Sequence, residues 1–180
     1  MMPPEVVVFD LGKVLVDFDY SRAARAIAAR GTTSAETINQ LINQSSLLVR
    51  YELGQMTDEA FFKEVCSVSG FKGDFEEFGK LFGNIFSEMP PMIELHAMLQ
   101  KKKVPTYIFS NTNGLAIAHI RRTFPFFANF DDYIFSYEHG VMKPDAGLYE
   151  VVERKSNRYG EQILYIDDRP ENVAAGAARG

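Results

Sequence analysis

A single cysteine, three scattered histidines and the lack of any long apolar run remove several possibilities before a motif is considered. Cys66 has no internal disulfide partner and sits in a helical-looking stretch, 59–66, where packing accounts for it. His96, His119 and His139 lack the spacing of a metal-ligand set, and only His139 falls near another candidate, Lys143. Nowhere do about 18 apolar residues run together, as a membrane span requires, and the N-terminus has neither the basic segment nor the apolar run of a signal peptide. No membrane partner is expected, and the protein reads as cytoplasmic. Basic charge is scarce too. A net charge of −5 offers no surface for nucleic acid, and Lys101-Lys102-Lys103 reads as the last turn of a helix, where cations complement the dipole. The sequence carries no readable signal of oligomeric state.

What is present is globular material, 180 residues with 46% hydrophobic content, enough for one core or for one core plus a smaller insertion. Residues 6–9, 104–109, 133–135 and 163–166 are short apolar runs bounded by polar or turn-forming residues, and they read as buried strands. Helical periodicity in 114–122 and 146–155 alternates with them, which implies a parallel sheet covered by helices. Residues 20–91 differ. They show no strand pattern but several capped helices: Ser21 precedes one over 22–30, and Thr57 precedes another that Gly70 ends. Phe71, Phe75, Phe78, Phe82 and Phe86 follow one helical face, a stripe that belongs to a core. Pro90-Pro91 opens a helix over 92–100. The expected fold is therefore α/β, a parallel-sheet core of residues 1–19 and 92–180 with a helical insertion over 20–91. A helix over 170–180 follows the last strand. No further strand comes after it, so either the sheet lacks an edge that relatives have or the sequence is cut short.

The strand ends carry the chemistry. Val6-Val7-Val8-Phe9 stops at Asp10, the position at which open α/β sheets place their ligands. Ser110-Asn111-Thr112-Asn113-Gly114 follows the second core strand with a hydroxyl and main-chain N–H groups ahead of a helix, an anion site or simply an N-cap. Gly140-Val141-Met142-Lys143-Pro144-Asp145 puts one lysine in a turn that Pro144 stiffens. Asp167-Asp168 ends the last strand, and the repulsion of adjacent acids is relieved by a hard cation such as Mg²⁺.

Phe9-Asp10-Leu11-Gly12, Ser110-Asn111-Thr112, Met142-Lys143-Pro144-Asp145 and Ile166-Asp167-Asp168, in that order over nearly the whole chain, resemble the four motifs of the haloacid dehalogenase superfamily. The resemblance implies a Rossmann-like core with a helical cap inserted after the first motif. It further implies a Mg²⁺-dependent phosphatase acting on a small phosphorylated metabolite, with Asp10 attacking phosphorus to form an aspartyl-phosphate that water hydrolyses. Asp10, the Gly12 carbonyl and Asp168 would hold the metal, with Asp167 as a direct or water-bridged partner. Ser110 and Asn111 would bind phosphate, and Lys143 would balance charge on nucleophile and phosphate.

One position departs from the family pattern. Most phosphatases of the superfamily carry a second aspartate two residues after the nucleophile, as acid and then base, and here that residue is Gly12. The expected substrate is one whose leaving group needs less help, such as an anomeric sugar phosphate; a subgroup resembling bacterial glucose-1-phosphate phosphatases shares the Asp-Leu-Gly pattern. Gly12→Asp is expected to raise the rate on poor leaving groups if the backbone tolerates it, and Asp17 or Asp19 are alternative proton carriers. Two other readings stand beside this one: a metal-independent 2-haloacid dehalogenase, and a pseudo-enzyme that binds a phosphorylated ligand. Tyr20, Arg22, Arg50, Tyr51 and Glu52 are candidates for facing the cleft, each equally readable as surface or packing.

Overall fold

The computed structural model describes residues 3–180, so the first two residues of the expected 1–19 core segment lie outside it. Six strands are present among the described residues: β1 (Val6–Phe9), β2 (Val16–Phe18), β3 (Phe86–Glu88), β4 (Thr106–Ser110), β5 (Asp132–Phe135) and β6 (Ile163–Ile166). Four of them form a sheet in the order β5-β4-β1-β6, and every pairing in it is parallel. All four side chains of β1 are buried. Val7 and Phe9 pack into one apolar cluster and Val6 and Val8 into another, as a central strand covered on both faces requires.

Between β2 and β3 run α1 (Tyr20–Ala28), α2 (Ala35–Ile42), α3 (Ser46–Glu52), α4 (Asp58–Ser69) and α5 (Phe75–Gly83). Asp19, Ser34, Ser45, Thr57 and Asp74 start them, each side chain accepting a main-chain N–H of the first turn. These helices share a separate aromatic cluster, in which Tyr51 stacks on Phe61 at 4.3 Å and Phe61 meets Phe82 edge-on at 5.1 Å. The sheet is covered by α6 (Pro90–Lys101), α7 (Gly114–Thr123), the short α8 (Ser136–His139), α9 (Ala146–Ser156) and α10 (Pro170–Ala177). No helix among the described residues is long and apolar enough to cross a membrane.

Three expectations change. Residues 20–91 are not free of strand: Phe86–Glu88 pairs antiparallel with Val16–Phe18, closing the chain on itself where the helices leave and rejoin the sheet. A three-residue strand is too short to show alternation, and Phe86 happened to continue the phenylalanine spacing. That stripe is helical only over Phe75–Gly83, with Phe71 before α5 and Phe86 after it. The cap of the first helix is Asp19 rather than Ser21; Ser21 supplies the N–H that Asp19 accepts.

Two contacts fix the helical segment against the sheet. The Tyr51 hydroxyl donates to Asp58 Oδ1 at 2.6 Å and accepts from the Leu115 N–H at 3.2 Å, bridging α3 to the start of α7. Gly54 turns the chain at a left-handed φ of +68°, and a β-carbon there would run into the Tyr137 carbonyl oxygen.

Candidate active site

Asp10, Ser110 and Asp167-Asp168 stand at the C-terminal ends of β1, β4 and β6, and Lys143 reaches the same point from the turn before α9. The parallel register makes the convergence unavoidable: three neighbouring strands run the same way and stop together. The Lys143 side chain is almost wholly buried, with its Nζ 3.0 Å from Asp10 Oδ1, 2.7 Å from Asp167 Oδ2 and 2.9 Å from the Phe109 carbonyl oxygen. The rings of Phe109 and Tyr165 lie 4.9 and 5.6 Å from it. Asn111 sets the backbone of this lysine, its amide accepting from the Lys143 N–H at 2.8 Å and donating to the Lys143 carbonyl at 3.0 Å.

The carboxylates differ in their surroundings. Asp10 Oδ1 accepts from the Leu11 N–H at 2.6 Å and faces Lys143, while no hydrogen bond of the described residues reaches its other oxygen. Burial raises the Asp10 carboxyl to about 6; Lys143 pulls it down and the Asp167 charge pushes it further up. Asp167 is saturated by Lys143, the Tyr165 hydroxyl, the Arg169 N–H and the Asn172 amide. Burial works against its charge, but these donors outweigh it and hold the carboxyl below the usual carboxylate value. Asp168 carries no such bonds among the described residues. Oxygens of Asp10, Asp167 and Asp168 lie within 4.8 Å of one another. Three clustered acids of which one lysine pairs with only two, with hard oxygen donors and an open member in Asp168, fit a Mg²⁺ ion.

A cavity of about 700 Å³ opens over this cluster. Its walls include Asp10, Gly12, Ser110, Asn111, Lys143 and Asp168 from the sheet side, and Tyr20, Leu48 and Glu52 from the helices. Of the other expected cleft residues, Tyr51 is buried as the bridge to α7, Arg50 pairs with Glu64 on the surface, and Arg22 and His139 are not part of the walls. Asp17 pairs with Lys13 and points to solvent. Asn111 is a positioning element, because both ends of its amide are bonded to Lys143. At the start of α7, Asn113 caps the Ala116 N–H, Tyr51 takes that of Leu115 and Ser136 takes that of Thr112, while no hydrogen bond among the described residues takes the main-chain N–H of Asn111 or Asn113 on the cavity wall. The sequence reading missed Tyr165 and Phe18, the first because a strand tyrosine reads as core and the second because nothing in its neighbours marks it.

Residues 4–180 match the haloacid dehalogenase-like hydrolases. The chain belongs to that family, and it is a hydrolase on the fold and strand-end cluster just described. It is 25% identical to D-ribitol-5-phosphate phosphatase of Bacteroides thetaiotaomicron, over 97% of this chain and 87% of that protein. Sesquiterpene phosphatase astK of Aspergillus oryzae is 23% identical, with 98% and 86% covered. Among solved structures, a HAD family enzyme of B. thetaiotaomicron in complex with magnesium and inorganic phosphate superimposes with a TM-score of 0.85 at 20% identity, over 99% of this chain and 91% of that one.

Proposed function

We propose that the protein is a Mg²⁺-dependent phosphatase that hydrolyses a small phosphate monoester through an aspartyl-phosphate on Asp10. The observation that carries this reading is Lys143, enclosed between Asp10 and Asp167 with Asp168 open beside them. Asp10 has one oxygen held by Leu11 and Lys143 and another free to attack. Lys143 neutralises the nucleophile and, in the transition state, the phosphoryl oxygens; Ser110, on the cavity wall, donates to one of those oxygens. Asp167 locks the lysine in place. When bound by Asp10, Asp168 and the Gly12 carbonyl, with Asp167 close by, Mg²⁺ supplies charge neutralisation at the phosphate. The phosphatase names of two relatives support the same reaction class, one on a polyol phosphate and one on a terpenoid phosphate. We read the helical segment over 20–91 as the cap that closes the cavity and selects the leaving group.

The test is phosphate release from p-nitrophenyl phosphate and sugar phosphates with Mg²⁺ and with EDTA. Turnover should require the metal and fall about 10³-fold or more in Asp10→Asn. Chloride release from 2-chloropropionate in EDTA would replace this reading with the dehalogenase one, which the unpartnered Asp168 carboxylate beside Asp10 and Asp167 argues against. Binding of phosphate without turnover of any ester would indicate a phospho-ligand sensor.

A further inference from the structure

An alkoxide leaving phosphorus needs a proton, and position 12 holds no acid to give one. A side chain at that position meets an obstacle: a β-carbon on Gly12 would stand 2.8 Å from Phe18 Cε1, so the ring would have to shift. Phe18 belongs to β2 and is wedged between Tyr20 and Phe86, ring centroids 5.7 and 6.3 Å away. The β2–β3 pair thus fills the room that a side chain at position 12 would use. Whether Gly12→Asp raises the rate therefore depends on the Phe18 ring as well as on the backbone, because the new side chain must first displace that ring.

The proton has to come from another wall. Glu52, the last residue of α3, lines the same cavity as Asp10, Gly12, Ser110 and Lys143. No hydrogen bond or ion pair reaches its carboxylate among the described residues, and Arg169, whose charge acts on it, pairs with Glu171 instead. Burial pushes the Glu52 carboxyl up to about 7, with Arg169 pulling it down and the Asp10 charge adding to the rise. Its other neighbours at the cavity are poor donors. The Tyr20 hydroxyl is driven far above its ordinary range by burial and by the Glu52 charge. Asp19, capping α1 through the Ser21 N–H, is held ionised below the usual carboxylate value, and Lys13 is paired with Asp17. Lys143 is closed in by its two acids, and Asp168 faces the cation position.

We propose that Glu52 donates the proton to the leaving-group oxygen, supplying from the helical segment the acid that position 12 lacks. As the bond between Asp10 and phosphorus forms, the bond from phosphorus to the ester oxygen breaks and its electron pair stays on that oxygen. The oxygen takes the Glu52 proton and departs as an alcohol, leaving Glu52 a carboxylate. The water that cleaves the aspartyl-phosphate gives Glu52 its proton back, so the cycle closes with Asp10 ionised and phosphate released.

This inference rests on the phosphatase reading, and one experiment separates the two. Single-turnover release of the alcohol is measured from p-nitrophenyl phosphate, whose nitrophenolate leaves without a proton, and from sn-glycerol 3-phosphate, whose alkoxide needs one. Glu52→Gln should slow the glycerol ester about 100-fold or more and the nitrophenyl ester less than about tenfold, with Glu52→Asp falling between wild type and Gln on the glycerol ester. The surviving nitrophenyl reaction also reports that the variant is folded. Equal losses on the two esters, or an unchanged rate on the glycerol ester, would overturn the role of Glu52 while leaving the phosphatase reading in place. A wild-type protein inert toward both esters in Mg²⁺ would overturn both.

Discussion

Lys143 and Glu52 face one cavity from opposite walls, and their surroundings could hardly differ more. The lysine ammonium is held by two carboxylates, a carbonyl and two aromatic rings, and its backbone is clamped by Asn111. The glutamate on the helical side has no partner at all among the described residues. The contrast separates two kinds of work. A group that must stay put while charge develops next to it is tied at every atom, as electrostatic stabilisation demands. A group that must meet a substrate or pass a proton is left unbonded, and its burial without a partner lifts its pKa.

The contrast can be broken most forcefully at Lys143. Lys143→Ala leaves Asp10 and Asp167 buried against each other without compensation, so stability should fall by about 3–5 kcal/mol in urea unfolding of the metal-free protein. Recovery of part of that loss on adding Mg²⁺ would show that a cation takes over the neutralising role; full wild-type stability without metal would show that the two acids do not feel each other.

Glu52 gives a smaller effect of the opposite kind. Its carboxyl is raised in the fold from 4.5 to about 7, so the neutral form is the one the fold favours. Stability from this group is fully present below pH 4.5 and is lost as the pH rises towards 7, by at most about 3 kcal/mol and less to the extent that solvent reaches the carboxylate. Glu52→Gln should flatten that part of the stability-versus-pH curve. An identical pH dependence in wild type and variant would mean the glutamate is solvated rather than enclosed.

Tyr51 sharpens the comparison most finely. Tyr51→Phe removes the hydroxyl shared by Asp58 and the Leu115 N–H and should cost about 1–2 kcal/mol, while Mg²⁺ affinity stays within about twofold, because no bond of the strand-end cluster passes through it. A large loss of metal affinity would show that the helical segment and the sheet ends are one unit.

The sheet side of the site was readable because its chemistry sits where strands stop. Four short apolar runs, each followed by Asp10, Ser110 or the acid pair, or leading on to Lys143, encode both the parallel sheet and its ligand-facing edge. Asn111 shows the limit even there, since an amide next to a candidate phosphate site reads equally as ligand or clamp, and only the position of Lys143 decides between them. On the helical side the limit comes sooner. Glu52, at the end of a seven-residue helix, stands in the sequence as one of five cleft candidates that read equally as surface or packing, and only the placement of α3 over the cavity separates it from Arg22, Arg50 and Tyr51. Phe18 could not be connected with Gly12 either, because that contact depends on how β2 turns back after the nucleophile loop, a matter of tertiary packing rather than pattern.

The meeting of Gly54 with the Tyr137 carbonyl bears on how the helical segment seats on the sheet side. There the two approach with no side chain between them, so their spacing is set by peptide dimensions rather than by rotamers. A seat gauged in that way cannot shift by small rearrangements of soft groups. Adaptation of the cavity to ligands of different bulk then falls to its own movable lining, the aromatic wall of Phe18, Tyr20 and Phe86.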